Sequence, residues 1–346
     1  METGTGPMNG YLENGLSRIR KVLRRYRPGS RVAGQPTAAA LDTIEHVIQS
    51  TDERIRLVNG YKHRLLGATT TTLEYAESII DQFPTAIEVS SSTFVSNPYV
   101  NAFFANVEEL QSVFSHSSEL RDFIDDYRHH DIKDICALLC MRKAEKTALG
   151  MEFAGNTLKR DVRQVAINFY DHHVYSPAPT EAETRQGLKD CLLEGLTTMA
   201  LERVVQLRLS RQTLEDEQRI LQVRLRSQQA DSWDNLDMEK TREKLGQIEG
   251  AMKDTPPASP METLNVVEEV LSHPEEFVRL EKMSLRVDRM GIKRSEDSPE
   301  SSNRLDLIGV TIGKDDPRVI TLARFPRNEV LPRIDIHEWT RQRMRV

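Results

Sequence analysis

Residues 180–229 read TEAETRQGLKDCLLEGLTTMALERVVQLRLSRQTLEDEQRILQVRLRSQQ, without a proline. The stretch predicts one helix of roughly 50 residues, about 75 Å long at 1.5 Å per residue. It opens on a capping box: the Thr180 hydroxyl accepts from the Glu183 amide while the Glu183 carboxylate reaches back to the Thr180 amide. Up to Leu209 the helix is apolar on most sides, through Leu188, Leu192, Leu193, Leu196, Met199, Leu201, Val204, Val205 and Leu207. A helix apolar all round is buried. Beyond Ser210 it turns charged, and the apolar positions thin to Leu214, Ile220, Leu221, Val223 and Leu225.

Leu207, Leu214 and Leu221 keep a seven-residue spacing. A second helical pattern over 231–253 repeats it in Met238, Leu245 and Met252, with Trp233, Leu236 and Ile248 alongside. Two such seams joined at Ala230-Asp231-Ser232 predict an antiparallel, coiled-coil-like helical hairpin, an arm of about 30 Å. Arg211 and Gln218 interrupt the seam, so the arm is expected to need a partner protein or a second copy of the chain. Its expected partner-binding residues are Leu214, Leu221, Leu225, Trp233, Leu236, Leu245 and Ile248.

Upstream of the long helix the period is two. Thr147, Leu149, Met151 and Phe153 alternate with small or polar residues, as do Val165, Ile167 and Phe169. With Gly155-Asn156 between them, the pattern predicts a β-hairpin over about 145–175. Before it the spacing is helical. One helix follows Pro36, another ends at Pro84, and Asn97-Pro98 and Ser117 or Ser118 start two more. Ile135, Leu138 and Leu139 place a further helix over 132–142. Residues 87–95 are Ser-rich and read as a loop or short strand. Residues 11–27 form a basic amphipathic helix with Leu16, Ile19, Leu23 and Tyr26 on one stripe. Downstream, Asp254-Thr255-Pro256-Pro257-Ala258-Ser259-Pro260 reads as a linker. A short helix and strands near 285–292, 305–312 and 319–325 follow, predicting a small three-stranded meander.

The expected fold is therefore α+β and mostly helical. A basic segment (1–35) precedes a helical body with an inserted β-hairpin (36–176). The long helix and hairpin arm (177–254) and a small C-terminal antiparallel β module (255–346) complete it. No run approaches the length of a membrane span, and residues 1–10 lack a secretory h-region. Three cysteines without framework spacing point to a reducing compartment, hence the cytoplasm. The net charge is −6. Residues 1–40 hold seven Arg and Lys against two Glu, so the remainder is strongly acidic. That balance disfavours a general nucleic-acid binder. Arg18, Arg20, Lys21, Arg24, Arg25 and Arg27 leave a weak nucleic-acid or anionic-membrane surface as one alternative.

Chemistry has one candidate cluster. His129, His130, Cys136, Cys140, His172 and His173 fall within 45 residues, and all are zinc-ligand types. On a helix Cys136 and Cys140 would share a face. The spacing matches no zinc signature, and core thiols with surface imidazoles is the commoner reading. A zinc-dependent enzyme or zinc-stabilised domain stands as the other alternative. Asp171-His172 would point to opposite faces of a strand. No phosphate-binding loop, nucleophile elbow or H-E-x-x-H is present. No catalytic residue and no cofactor are assigned. The leading expectation is a non-enzymatic interaction or scaffold component acting through the arm.

Overall fold

The computed structural model describes residues 36–126, 131–154, 157–230, 235–294, 302–314 and 317–332. Residues 11–27, expected to form a basic helix, together with His129, His130, Trp233 and the C-terminal tail, lie outside them. The helices are α1 (Pro36–Thr51), α2 (Tyr61–Ile80), α3 (Pro98–Phe103), α4 (Val107–His116), α5 (Ser118–Asp125), α6 (Glu181–Ala230), α7 (Asn235–Asp254), α8 (Pro260–Ser272) and α9 (Pro274–Phe277). The strands are β1 (Ile87–Glu88), β2 (Asp134–Ala154), β3 (Thr157–Ala178), β4 (Val278–Val287), β5 (Asn303–Ile312) and β6 (Arg318–Pro326). None of the described helices is long and apolar enough to cross a membrane. The chain forms two compact units, Met1–Leu73 with Glu194–His273 and Glu74–Leu193 with Pro274–Val346.

The second unit holds the sheet. Its order is β3-β2-β6-β5-β4, with β1 pairing β6 in parallel and the other ladders antiparallel. Two expectations are corrected here. Residues 134–142 are strand, not helix, and the C-terminal strands are not a small separate module. β6 pairs with β2 from Asp134↔Pro326 to Met141↔Val319, so hairpin and meander make one six-stranded sheet. The physical reason lies in β2. Ile135, Cys136, Ala137, Leu138, Leu139, Cys140 and Met141 are all buried, because neighbours flank the strand and both its faces are covered. A strand buried on both faces loses its alternation and mimics a helical apolar run.

Three bulges curl this sheet. Between Cys136/Leu138, Cys140/Arg142 and Gly150/Glu152 of β2, β3 carries one extra residue. Each bulge has a residue at positive φ: Ser176 (49°), Asp171 (56°) and Asp161 (59°). Bulges of this kind bend the strand and increase its twist. At the far side β4 turns back at Asp288, whose carboxylate accepts from the amides of Met290 and Ile292. The returning segment meets β3: Ile167 N donates to Gly291 O at 2.8 Å and Lys293 N to Val165 O at 2.7 Å. The first and last strands are thus bridged. Gly291 sits at φ 76°, where a side chain is strained.

Helices α3, α4 and α5 pack on β3, and α3 also on β5. Each is capped as its sequence dictates: Asn97 accepts from Tyr99 N, Asn106 from Glu109 N and Ser117 from Leu120 N. Their buried aromatics fill the core. Phe114 stacks on Phe325 at 4.1 Å, and Phe103 meets Phe169 edge-on at 5.0 Å.

The first unit is helical. α1 buries Ile44, Val47 and Ile48, and α8 buries Leu264, Val267, Val270 and Leu271. α8 packs against a short 3-10 turn, Glu53–Leu57, whose cap Asp52 is buried. Asp52 is held by Arg54 and by Arg208 of α6. Burial alone would push the Asp52 carboxyl up. The bonds from Arg54 and the charge of Arg208 outweigh it and hold the carboxyl below its ordinary value. Thr70 and Thr71 donate to the carbonyls four residues back and Thr72 donates to Leu271 O at 2.6 Å, so three of the four threonine hydroxyls in this run are spent on carbonyls.

The long helix is present as a single element, 50 residues from Glu181. Its capping box is half formed. Glu183 N donates to Thr180 Oγ1 at 3.3 Å, but the Glu183 carboxylate takes the Thr180 hydroxyl rather than its amide. Its inner half is not buried all round. Leu188, Leu192, Leu196, Ala200 and Val204 form one buried stripe at four-residue spacing, while Val205 and Leu209 are exposed.

Candidate functional site

The outer half of α6 and all of α7 belong to the helical unit. In α6 the half-buried residues beyond Val204 include Leu207, Arg211, Leu214, Gln218, Leu221 and Leu225, with steps of four and three. In α7 the matching positions are Met238, Thr241, Leu245, Ile248 and Met252. Alternating steps of three and four keep one face of a helix turned the same way. Five of the predicted partner residues, Leu214, Leu221, Leu225, Leu245 and Ile248, therefore lie in these seams and are half-buried. Leu236 belongs to the first turn of α7, and its side chain lies outside the described residues, as Trp233 does.

Arg211, which looked like a defect in the seam, has a specific task. Its Nη1 donates to Met252 O at 2.8 Å and to Thr255 O at 2.9 Å, and its Nε to Glu215 at 2.8 Å. The carbonyls at the C-terminal end of a helix lack intrahelical donors. Arg211 supplies two donors there and fixes the antiparallel alignment of α6 and α7. Thr241, also missed by an apolar count, is the most buried residue of the α7 seam.

At 100° per residue, the side of α6 about 180° from its seam carries Val205, Leu209, Asp216, Ile220 and Val223. The apolar members are open to solvent: Val205 is 41% exposed, Leu209 57%, Ile220 66% and Val223 62%. Their spacing again alternates near three and four, a signal readable in the sequence once the seam is assigned. Charges flank the stripe. Glu215 and Glu217 lie to either side of Asp216, and Arg219, Arg224 and Arg226 follow.

The described cysteine and histidine candidates lie on β2 and β3, where Cys140 is the register partner of His173. Cys136 and Cys140 lie on β2, where four residues span about 13 Å, so the shared helix face does not exist. Both thiols are buried, and burial pushes Cys140 up to about 11. His172 donates from Nε2 to Phe103 O at 2.9 Å and stacks on Phe104 at 5.0 Å. Burial lowers its pKa. His173 stacks on Tyr175, with Nδ1 3.6 Å from Asp171 Oδ1. The Asp171 carboxylate pairs with Arg318 at 2.8 Å and lies 3.6 Å from Arg142. That group ties the bulge on β3 to β2 and β6. Asp171 and His172 thus engage different partners. Among the described residues, no three His, Cys, Asp or Glu side chains gather as a metal-holding group.

An open cavity of about 470 Å³ lies at the start of α6, lined by Cys136, Thr180, Glu181 and Arg324 among others. Its acids and bases balance, with Asp134 and Glu181 against Lys133 and Arg324. The Glu181 carboxylate is already engaged by the Ala86 amide at 3.1 Å and by Arg185 at 2.8 Å. Burial raises the Cys136 thiol, against a bond from Arg324. The neutral thiol, not the nucleophilic thiolate, is the favoured form.

No family model, no curated protein and no solved structure matches the chain.

Proposed function

We propose that this chain is a non-enzymatic interaction or scaffold component whose partner-binding surface is the helical hairpin of residues 210–253. The observation that carries the reading is the outward stripe of α6. Leu209, Ile220 and Val223 are each more than half exposed on the side opposite the seam. Apolar side chains repeated at helical spacing on an outward face are what an amphipathic partner helix buries. The seam residues Leu214, Leu221, Leu225, Leu245 and Ile248 hold the hairpin together and present that face. We assign the protein to the cytoplasm, a reading supported by Cys136, Cys140 and Cys191 all being free thiols.

The test is affinity purification of the full chain beside a variant lacking residues 210–253 and a point variant, Leu209→Ser with Ile220→Ser and Val223→Ser. The point variant should keep its helicity and lose the partners that the intact chain retains. Unchanged partners and unchanged oligomeric mass in both variants would end the proposal.

A further inference from the structure

We infer that the occupant of the outward stripe is the same stripe of a second copy, docked antiparallel about a two-fold axis between Ile220 and Val223. This rests on the arm being the interaction surface and names its partner. The argument is charge order along one helix face. The acidic run Glu215, Asp216 and Glu217 precedes the stripe's centre at Ile220, and the basic residues Arg224 and Arg226 follow it. A helix with acid at one end of an apolar face and base at the other is complementary to itself only when reversed. With the axis between Ile220 and Val223, Ile220 of one copy packs on Val223 of the other. The same reversal leaves Glu215 and Arg226, and likewise Glu217 and Arg224, two residues or about 3 Å apart along the helix axis, within reach of their long side chains.

The wheel positions agree with the pairing. At 100° per residue, Glu215 and Arg226 fall on one flank of the stripe, Glu217 and Arg224 on the other. Like flanks meet in an antiparallel pair. Two-fold symmetry makes each pairing occur twice, giving four cross-copy ion pairs around one apolar strip. Arg219, between the two charge groups, lies 3.5 Å from Asp216 of its own helix, and Glu215 accepts from Arg211 Nε through Oε1, so its cross-copy pair with Arg226 is made through Oε2. A parallel arrangement would lay the acidic run on itself and the arginines on each other. Like charges so placed repel. Asp216 on the stripe itself disfavours a long, permanent coiled coil. The dimer expected is a weak one, with an interface of low-end size.

The experiment is sedimentation of the full chain over the micromolar range, with three sets of variants. Wild type should show a concentration-dependent dimer that weakens with salt. Ile220→Asp with Val223→Asp should raise its Kd by about 100-fold or more, since two buried apolar contacts are lost. Glu217→Arg should weaken the dimer by about threefold to tenfold, and adding Arg224→Glu should restore it. Orientation is read by a short bis-maleimide. Ile220→Cys should cross-link, because its mate lies about 4.5 Å away along the axis. Leu209→Cys should not, its mate being about 37 Å away. Equal cross-linking from both sites would overturn the antiparallel arrangement. A chain monomeric throughout, whose stripe variant still loses a captured partner, would remove self-association and leave the interface. Monomeric protein with every captured partner retained by the stripe variant would remove both.

Discussion

Replacing Gly187 with alanine should destabilise the sheet unit, and replacing Ser176 with glycine should reverse the sign of that effect. A Cβ on residue 187 would lie 2.5 Å from Ser176 Cβ and 2.7 Å from its Oγ. Carbon atoms prefer about 3.5–4.0 Å. A rotamer change of Ser176 cannot relieve the clash, because the Cβ itself is in the way. Nor can its backbone retreat freely. Ser176 sits at φ 49° in a bulge, and its amide donates to Glu119 Oε2 at 3.1 Å. Overpacking of this degree costs up to about 3 kcal/mol. Removing a helix-interior glycine returns about 1 kcal/mol. The net cost of Gly187→Ala is then about 2 kcal/mol. In the Ser176→Gly background the nearest remaining atom is the residue 176 Cα, at 3.8 Å, an ordinary contact. There Gly187→Ala should stabilise by about 1 kcal/mol, the propensity gain alone. Ser176→Gly by itself should be near neutral, since glycine accepts the positive φ but adds freedom to the unfolded chain. Urea unfolding of the four proteins followed by far-ultraviolet circular dichroism gives the coupling energy, expected near 3 kcal/mol. If Gly187→Ala has the same sign in both backgrounds, the steric argument fails.

Gly291→Ala should loosen the bridge between the last strand and the first. It puts a side chain at φ 76° and a Cβ 3.2 Å from Ile167 O, and the left-handed backbone costs about 1–2 kcal/mol. Hydrogen exchange should rise at the Ile167 and Lys293 amides, with Gly291→Asn affected less; unchanged protection would contradict the closure. His172 should impose a pH dependence. Burial lowers its pKa, so the folded chain keeps it neutral where the unfolded chain protonates. The stability it contributes is complete above the unfolded value of about 6.5 and is lost as the pH falls below that. His172→Phe should be less stable at pH 8, because Phe103 O loses its donor. Its stability should fall less between pH 7.5 and 5.5, and an equally steep fall would assign that dependence elsewhere.

What sequence could and could not show follows from how local each signal is. The long helix was legible because its start carries Thr180 and Glu183 and no proline breaks its length. The caps at Asn97 and Ser117 were legible for the same reason, each needing only its next three residues. β2 was not. Ile135, Leu138 and Leu139 fit a helix as well as a strand, and what decides is β6, some 180 residues later in the chain. The pairing that joins hairpin to meander has no local mark at all. In β3 the alternation through Val165, Ile167 and Phe169 is real, but the extra residue at Asp171 shifts its phase. His172 thereby reaches Phe104 while Asp171 turns to Arg318. On the arm the seam was legible from its heptads. The outward stripe was not, because apolar spacing along the chain does not separate Ile220 and Val223 from the seam residues beside them.

Arg211 does more in the arm than interrupt an apolar seam. A leucine at that seam position would bury more apolar surface, and by hydrophobicity alone it would be the better residue. It would also leave the Met252 and Thr255 carbonyls without the donors that Arg211 gives them. An unsatisfied carbonyl of this kind costs about 1–3 kcal/mol, comparable to the burial that leucine would gain. The arginine adds something leucine cannot: it anchors one end of the hairpin in a single register. Every seam residue beyond it then has a defined mate, and the opposite side of α6 has a defined direction. That side is where Leu209, Ile220 and Val223 stand exposed. A hairpin whose register is fixed by hydrogen bonds can carry an apolar outward face without rolling that face inward.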